Sequence, residues 1–324
     1  MSFNFSLTGM THLKYFVPII VEANRRKIKS NVFVGKCNKY CCPHRNMQTL
    51  KDISKKYNFD LLDINNINMH PATTFLIEGD GLEYINYSNK KYAITYMTDF
   101  AVSLKSYIAR VDHVIFPNEY FAKYYKVENK KNLYFGSPKY SLVYDSKKEI
   151  LEKYNITNKT QKNALIIFPK LRDLNKIDLL KLYSVLKSLG FNLIIKSRGK
   201  DPIPNHLKGD YSFLDASWHP HTTLELLKIS DIAINFSSTA IKECIMLNVP
   251  IINFHIKPFV KPLEFLYNFN YCKQLNTEYR KEDISKALDY FFKTDLKLEF
   301  EKCRNLYLFE NKKVVGNIID HALQ

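Results

Sequence analysis

The chain predicts an α/β protein of two doubly wound, Rossmann-like domains that face each other across a cleft. Two observations carry this. Short apolar runs of strand length alternate with stretches of helical period through both halves. The alternation is interrupted at Gly136-Ser137-Pro138-Lys139, and a polar, lysine-rich stretch over 141–160 follows before strand signals resume at 164. A chain of 324 residues has room for two domains of about 150. The expected division is 1–145 and 146–324, with helices after 258 that cross back to the first domain.

In the first half, residues 3–7 alternate as a strand, 8–11 form a glycine-containing turn, and 13–26 carry the helical stripe Phe16, Ile19, Ile20 and Ala23. His12 therefore sits at a strand's carboxyl end, where ligands bind in open α/β sheets. It is a candidate base or acceptor contact, and the plain alternative is a histidine that caps a helix. Residues 31–34 read as the second strand. Cys37, Cys41, Cys42 and His44 follow, ahead of a helix over 47–57. The spacing invites zinc, but a structural zinc site needs four tetrahedral ligands, and adjacent Cys41 and Cys42 rarely both reach one metal. Reduced thiols are the preferred reading and no metal is assigned.

Residues 61–64, 74–77 and 92–96 read as further strands, and Glu78-Gly79-Asp80-Gly81 lies immediately past the second of them. Two carboxylates among glycines permit close approach to a substrate and general-base work, or form nothing more than a solvated turn. A helix over 99–109, a strand over 113–116, a helix over 119–125 and a strand over 132–135 complete this half.

The second half opens with a strand over 164–168 and a loop holding Arg172 and Asp173. A helix over 178–189 comes next, stopped by Gly190. The strand over 192–196 should deliver Lys196, Arg198 and Lys200 to its carboxyl edge, suited to phosphate charge, with a basic surface loop as the alternative. The region 215–223 holds Trp218 and His219, the latter a weaker candidate acid with helix capping as its alternative. Residues 230–259 read as strand, loop, helix and strand. Ser237, Ser238 and Thr239 offer hydroxyl caps to the helix, and Glu243 lies within reach of a ribose. Glu243 otherwise complements the helix dipole.

Hydrophobic content of 46% excludes a mainly disordered chain, and no apolar run approaches the length of a membrane helix. The start MSFNFSLTGMTHL lacks a basic segment ahead of an apolar core, and six cysteines suit reduced thiols in a chain of this size, so a cytoplasmic location is expected. The net charge of +16 attracts anions, which include nucleotides, acidic glycans and an anionic membrane face. Nucleic acid is disfavoured, because no dense basic tract or aromatic recognition signature accompanies that charge.

Five segments resemble one family. SDIAINFSSTAIKECIMLNVPIINF from Ser230 is similar to the donor-binding segment of GT-B glycosyltransferases, particularly the bacterial capsule, sialyltransferase and CDP-glycerol glycerophosphotransferase groups. TGMTHLKYFVPII from Thr8, IEGDGLEY from Ile77, NLYFGSPKYSLV from Asn132 and LIIKSRGKDP from Leu193 resemble other parts of those proteins. The resemblance implies a GT-B fold with an acceptor domain first and a nucleotide-donor domain second. It implies a nucleotide-activated sugar or polyol as donor, a glycan or glycolipid as acceptor, and no further cofactor. Asp80 best matches the family's acidic base, with Glu78 left open because Gly79 separates the two acids. His219-Pro220 matches the family's His-Pro motif in letters but falls one strand later. No Asp-x-Asp metal motif stands in a suitable context, which points to metal-independent transfer. Non-hydrolysing UDP-N-acetylglucosamine 2-epimerases share the architecture and are the nearest competitor. They resemble Ser-Gly-Gly with paired glutamates at the serine loop, where this chain has Ser237-Ser238-Thr239 and a single Glu243. A binding protein that keeps the fold without turnover is the remaining alternative.

Overall fold

The computed structural model describes residues 1–36, 41–85, 90–96, 107–141, 145–158, 161–198, 201–215, 222–259, 261–308 and 313–324, with the side chains of 261, 262, 307 and 308 set aside. Cys37, Lys200, Trp218, His219 and most of the helix expected over 99–109 lie outside them. The chain divides into two compact units, Met1–Leu142 with Leu306–Gln324, and Val143–Asn305.

The first unit is a parallel sheet of seven strands: β1 (Ser2–Leu7), β2 (Lys29–Val34), β3 (Asp60–Asp63), β4 (Thr73–Ile77), β5 (Lys91–Ile94), β6 (His113–Phe116) and β7 (Asn132–Tyr134). Their spatial order is β3-β2-β1-β4-β5-β6-β7. Helices α1 (Leu13–Arg25), α2 (Met47–Tyr57) and α3 (Glu119–Tyr124) belong to this unit. The central strands β1 and β4 are buried almost without a break, polar positions included, because a parallel sheet is covered on both faces. Phe5 stacks on Phe75 with ring centroids 5.3 Å apart, and Phe3 meets Phe75 edge-on at 5.4 Å.

The second unit holds α4 (Lys147–Lys153), β8 (Lys162–Ile167), α5 (Leu179–Ser188), β9 (Phe191–Arg198), β10 (Tyr211–Asp215), α6 (Thr222–Lys228), β11 (Ile232–Asn235), α7 (Ile241–Met246), β12 (Ile251–Phe254), β13 (Cys272–Leu275), α8 (Lys281–Lys293) and α9 (Lys297–Cys303). The six strands are parallel in the order β10-β9-β8-β11-β12-β13. β10 and β13 have no counterpart in the sequence reading, which assigned no element to 211–214 and expected helices after 258. Both are edge strands and much of β10 is half-exposed, so neither carries the continuous apolar run that marks the central strands. The last helix, α10 (Val314–Ala322), belongs to the first unit.

Buried asparagines occupy matched positions on adjacent strands in both units. Asn4 and Asn31 are register partners on β1 and β2, and the Asn31 amide donates to Asn4 Oδ1 at 3.2 Å. Asn163 and Asn192 do the same on β8 and β9 at 3.0 Å, and Asn235 and Asn253 on β11 and β12 at 2.9 Å. A buried amide needs a partner, and a one-residue slip would strand both members of each pair. These pairs therefore specify register where apolar packing alone would tolerate error.

Candidate active site

In each sheet the order in which successive strands are added reverses at one point: between β1 and β4 in the first unit, and between β8 and β11 in the second. Loops leaving the two strands at such a point diverge to opposite sides and open a crevice at the carboxyl edge. The residues singled out from the sequence fall mainly at these two crevices.

In the first unit, the turn after β1 carries Thr8, Gly9 and His12, and the loop after β4 carries Glu78, Gly79, Asp80 and Gly81. His12 Nε2 lies 3.5 Å from Asp80 Oδ2, with the imidazole 8% exposed and the carboxylate 58% exposed. Thr8 Oγ1 donates to the same carboxylate oxygen at 3.3 Å, and Ser6 Oγ donates to the Asp80 carbonyl at 3.3 Å. The His12 ring stands edge-on to Phe16 and Tyr96, which hold it from two sides. A carboxylate with one oxygen held by a hydroxyl and an imidazole, yet largely open to solvent, is placed to take a proton from an incoming hydroxyl.

Backbone geometry builds this loop. Gly81 has φ +91°, and a Cβ there would stand 2.0 Å from Ser6 Oγ, so only glycine lets the loop close over β1. Glu78 also adopts a left-handed φ of 53°, and its N–H extends the ladder by donating to Ile94 O at 2.9 Å. The charge of Glu78 bears on Tyr107, whose phenol is pushed well above its ordinary value by burial first and by Glu78 second. The two acids thus have different neighbours: Asp80 meets His12, and Glu78 lies near Tyr107.

In the second unit, the loop after β11 holds Ser237, Ser238 and Thr239. Its geometry departs from a hydroxyl-capped helix start. The short helix α7 begins only at Ile241, its N-cap is Ala240, and no side chain caps it. Ser237 is buried with φ 49°, its N–H donating to Asn253 Oδ1 at 2.9 Å and its hydroxyl to Phe254 O at 3.4 Å. Ser238 Oγ accepts from Ala240 N at 3.3 Å, while its carbonyl accepts from Tyr267 Oη at 2.9 Å. Thr239 is exposed at the tip, and Glu243 is buried in the first turn of α7. The asparagine pair beneath the loop thus sets its shape, and the serines are used within it.

Lys196 corrects the sequence reading. It was expected to reach the carboxyl edge as a phosphate ligand, but it is buried on β9 and forms an ion pair with buried Asp215 on the neighbouring strand at 3.1 Å. Strand alternation decides this, because β9 runs two residues further than expected and Lys196 lies inside it. Arg198, the last residue of β9, is half-buried and ion-paired with Asp201.

Lys170, just after β8, and Lys257, just after β12, were not singled out from sequence. The only available signal was their place directly past apolar strands. The Lys257 ammonium is held below its ordinary value by burial first, then by the Lys170 charge, with Arg198 and Arg172 acting the same way and Asp173 opposing them.

Cys42 is buried and His44 exposed, so the two face different surroundings. Among the described residues, no group of three or more histidine, cysteine and acidic side chains is placed to hold a metal ion, and Cys37 lies outside them. Also among the described residues, no helix is long and apolar enough to cross a membrane.

No protein-family model and no curated protein matches the chain. Solved structures do. The UDP-GlcNAc 2-epimerase from Neisseria meningitidis bound to UDP-GlcNAc superposes with a TM-score of 0.70 at 11% identity over 100% of both chains. The wall teichoic acid polymerase TagF gives 0.68 at 13% identity, covering 100% of this chain and 88% of that one. A glycosyltransferase from Rickettsia africae gives 0.53 at 14% identity, covering 99% and 97%. The fold is therefore the two-domain α/β fold of the GT-B type, with two parallel sheets of seven and six strands.

Proposed function

We propose that the protein is a glycosyltransferase, or a close phosphopolyol-transferring relative, that uses a nucleotide-activated donor to extend a surface polysaccharide or related glycan. The observation that carries this reading is the contact between Asp80 and His12 at the crevice of the first sheet. In the proposed reaction an acceptor hydroxyl attacks the sugar carbon of the donor and forms the new C–O bond, or, for a polyol phosphate, attacks its phosphorus and forms a new P–O bond. Its proton passes to the Asp80 carboxylate, and the bond from the attacked carbon or phosphorus to the oxygen of the departing nucleotide breaks with its electron pair on that oxygen. His12 positions Asp80. On the second unit, the Ser237–Thr239 loop and Glu243 are assigned to donor binding, through phosphate and ribose respectively. His219 stays a candidate acid on the strength of its motif alone. Similarity of fold to a teichoic acid polymerase and a glycosyltransferase supports the class.

A 2-epimerase is the second reading, favoured by the fold shared with the enzyme bound to UDP-GlcNAc. The single Glu243 beside Ser237-Ser238-Thr239 speaks against it, since the epimerases resemble Ser-Gly-Gly with paired glutamates there. Incubation with UDP-GlcNAc alone separates the two. No epimer should form without an acceptor, and epimer formation would replace the transferase reading. A thermal-shift screen of CMP, CDP, UDP and GDP compounds then names the base, because a ligand at 100 times its Kd stabilises by about 2.7 kcal/mol.

A further inference from the structure

Helix α7 follows the serine loop and carries Glu243 in its first turn. Its far end closes on Asn248, which adopts a left-handed φ of 57°. The Asn248 N–H donates to Ile245 O at 3.3 Å and the Val249 N–H to Cys244 O at 3.0 Å, which are the two bonds of a Schellman cap. Arg304 brackets that cap. Its guanidinium Nη1 donates to Ile245 O at 3.1 Å and also to the side-chain oxygen of Asn248. Arg304 is only 5% exposed, and a cation at a helix's carboxyl end meets the negative end of its dipole.

Two short paths lead from this clamp to the serine loop. Backwards, α7 spans six residues, about 9 Å, to Ala240, whose N–H donates to Ser238 Oγ. Forwards, Pro250 leads into β12, where the buried Asn253 Oδ1 accepts from the Ser237 N–H at 2.9 Å. A helix this short is not held by its own ladder, so its position depends on what it packs against and on what fixes its ends. Arg304 also directly follows α9 and opens a single π-helical turn, Arg304–Leu308, a form that recurs at functional sites. Leu306, two residues on, belongs to the first unit, where its carbonyl accepts from the Asn118 amide at 2.7 Å. Arg304 thus ties α7 to the point where the chain leaves the second unit.

We propose that Arg304 is a positioning residue for donor binding. By closing the end of α7 and the turn into β12, it fixes the Ser237–Thr239 loop and Glu243 without itself touching the donor. The inference rests on the reading of that loop and Glu243 as donor-binding. Hydrogen-bond lengths vary by only about 0.5 Å, so a shift of α7 of that order loosens every contact the loop and Glu243 make.

Isothermal titration of the full chain with CMP, CDP, UDP and GDP, well below the unfolding temperature, tests this. Arg304→Met should weaken binding of whichever nucleotide is bound by about tenfold, and Arg304→Lys, which keeps a donor and the charge, should recover most of that loss. Asn248→Gly removes the side-chain acceptor and tolerates the left-handed φ. It serves if Arg304→Met fails to fold, and should weaken binding by about threefold. Leu288→Ala separates position from stability. Leu288 is buried on α8 beside Phe191, at the amino end of β9, so its truncation should lower Tm and leave nucleotide affinity unchanged. Unchanged affinity in Arg304→Met, or in Asn248→Gly where the former does not fold, would overturn the role of Arg304 and leave the donor reading intact. An equal loss of affinity in Leu288→Ala would overturn it too, because lost stability would then account for the effect. Binding of no nucleotide by the unmodified protein would overturn the donor reading and this inference together.

Discussion

Asp80 Oδ2 lies 3.5 Å from His12 Nε2, an exposed carboxylate set against a buried imidazole. The two residues come from loops after different strands, and they meet because β1 and β4 are neighbours. Chain order alone would put β2 and β3 between them.

If Asp80 takes the acceptor proton, its contribution arises mainly in the transition state. Asp80→Asn should lower kcat by about 10²- to 10⁴-fold and leave donor affinity nearly intact. Glu78→Gln should retain most activity. Steady-state kinetics on the purified variants decides between the acids, and full activity in Asp80→Asn would move the base elsewhere.

Gly81 tests the loop itself. Gly81→Ala combines a left-handed φ with a Cβ directed at Ser6 Oγ, so it should cost about 1–3 kcal/mol in stability and displace Asp80. Ser6→Ala in the same chain removes the closest atom but leaves Ser6 Cβ at 3.3 Å, so rescue should be partial. Denaturant titration of the single and double variants gives the coupling, and purely additive losses would contradict the clash.

Lys196 and Asp215 form a buried pair, so removing one charge leaves the other stranded. Lys196→Met should destabilise by about 3–5 kcal/mol, whereas Lys196→Met with Asp215→Leu should recover much of the loss. Thermal unfolding measures both. A stable Lys196→Met variant with weakened nucleotide binding would restore the phosphate role expected from sequence.

Histidines at the opposite edge of the first sheet predict a pH dependence. His321 on α10 lies with its Nδ1 2.8 Å from Tyr92 Oη, and its ring is 4.6 Å from that of His113. Burial lowers the affinity of His113 for protons, and His321, Lys90 and Lys131 act in the same direction against Asp112. Burial and then Lys90 lower that of His321. Both folded values lie below the ordinary 6.5, so the unfolded chain takes up protons first as pH falls. The stability they contribute is complete above 6.5 and is lost as pH drops below it. Melting temperature followed from about pH 8 to about pH 5 should fall at the acid end, and less so in His113→Gln with His321→Gln. Identical profiles would show that these histidines do not couple folding to pH.

Much of the architecture is written locally. Apolar runs such as Ile232–Asn235 and Ile251–Phe254 read as buried strands because both faces of a parallel sheet are covered, and the stripe of Phe16, Ile19, Ile20 and Ala23 reads as a helix face for the same reason. Periodicity of this kind reports burial residue by residue, so it needs no knowledge of distant partners. It fails where burial is incomplete, which is why β10 and β13 at the sheet edges escaped notice.

Sequence alone also placed Asp80, Glu78 and His12 at strand ends, since a strand's carboxyl end is a local property. Which acid meets His12 was decided by the strand order that sets β1 beside β4 and by the room that Gly81 leaves against Ser6. Lys196 shows the same limit from the other side. A lysine at the end of an apolar run looks free for an anion until a neighbouring strand brings Asp215 to within 3.1 Å. Local pattern determines which face of an element is buried; only the paired sheet determines what a charge on that face finds there, because that partner lies on another strand.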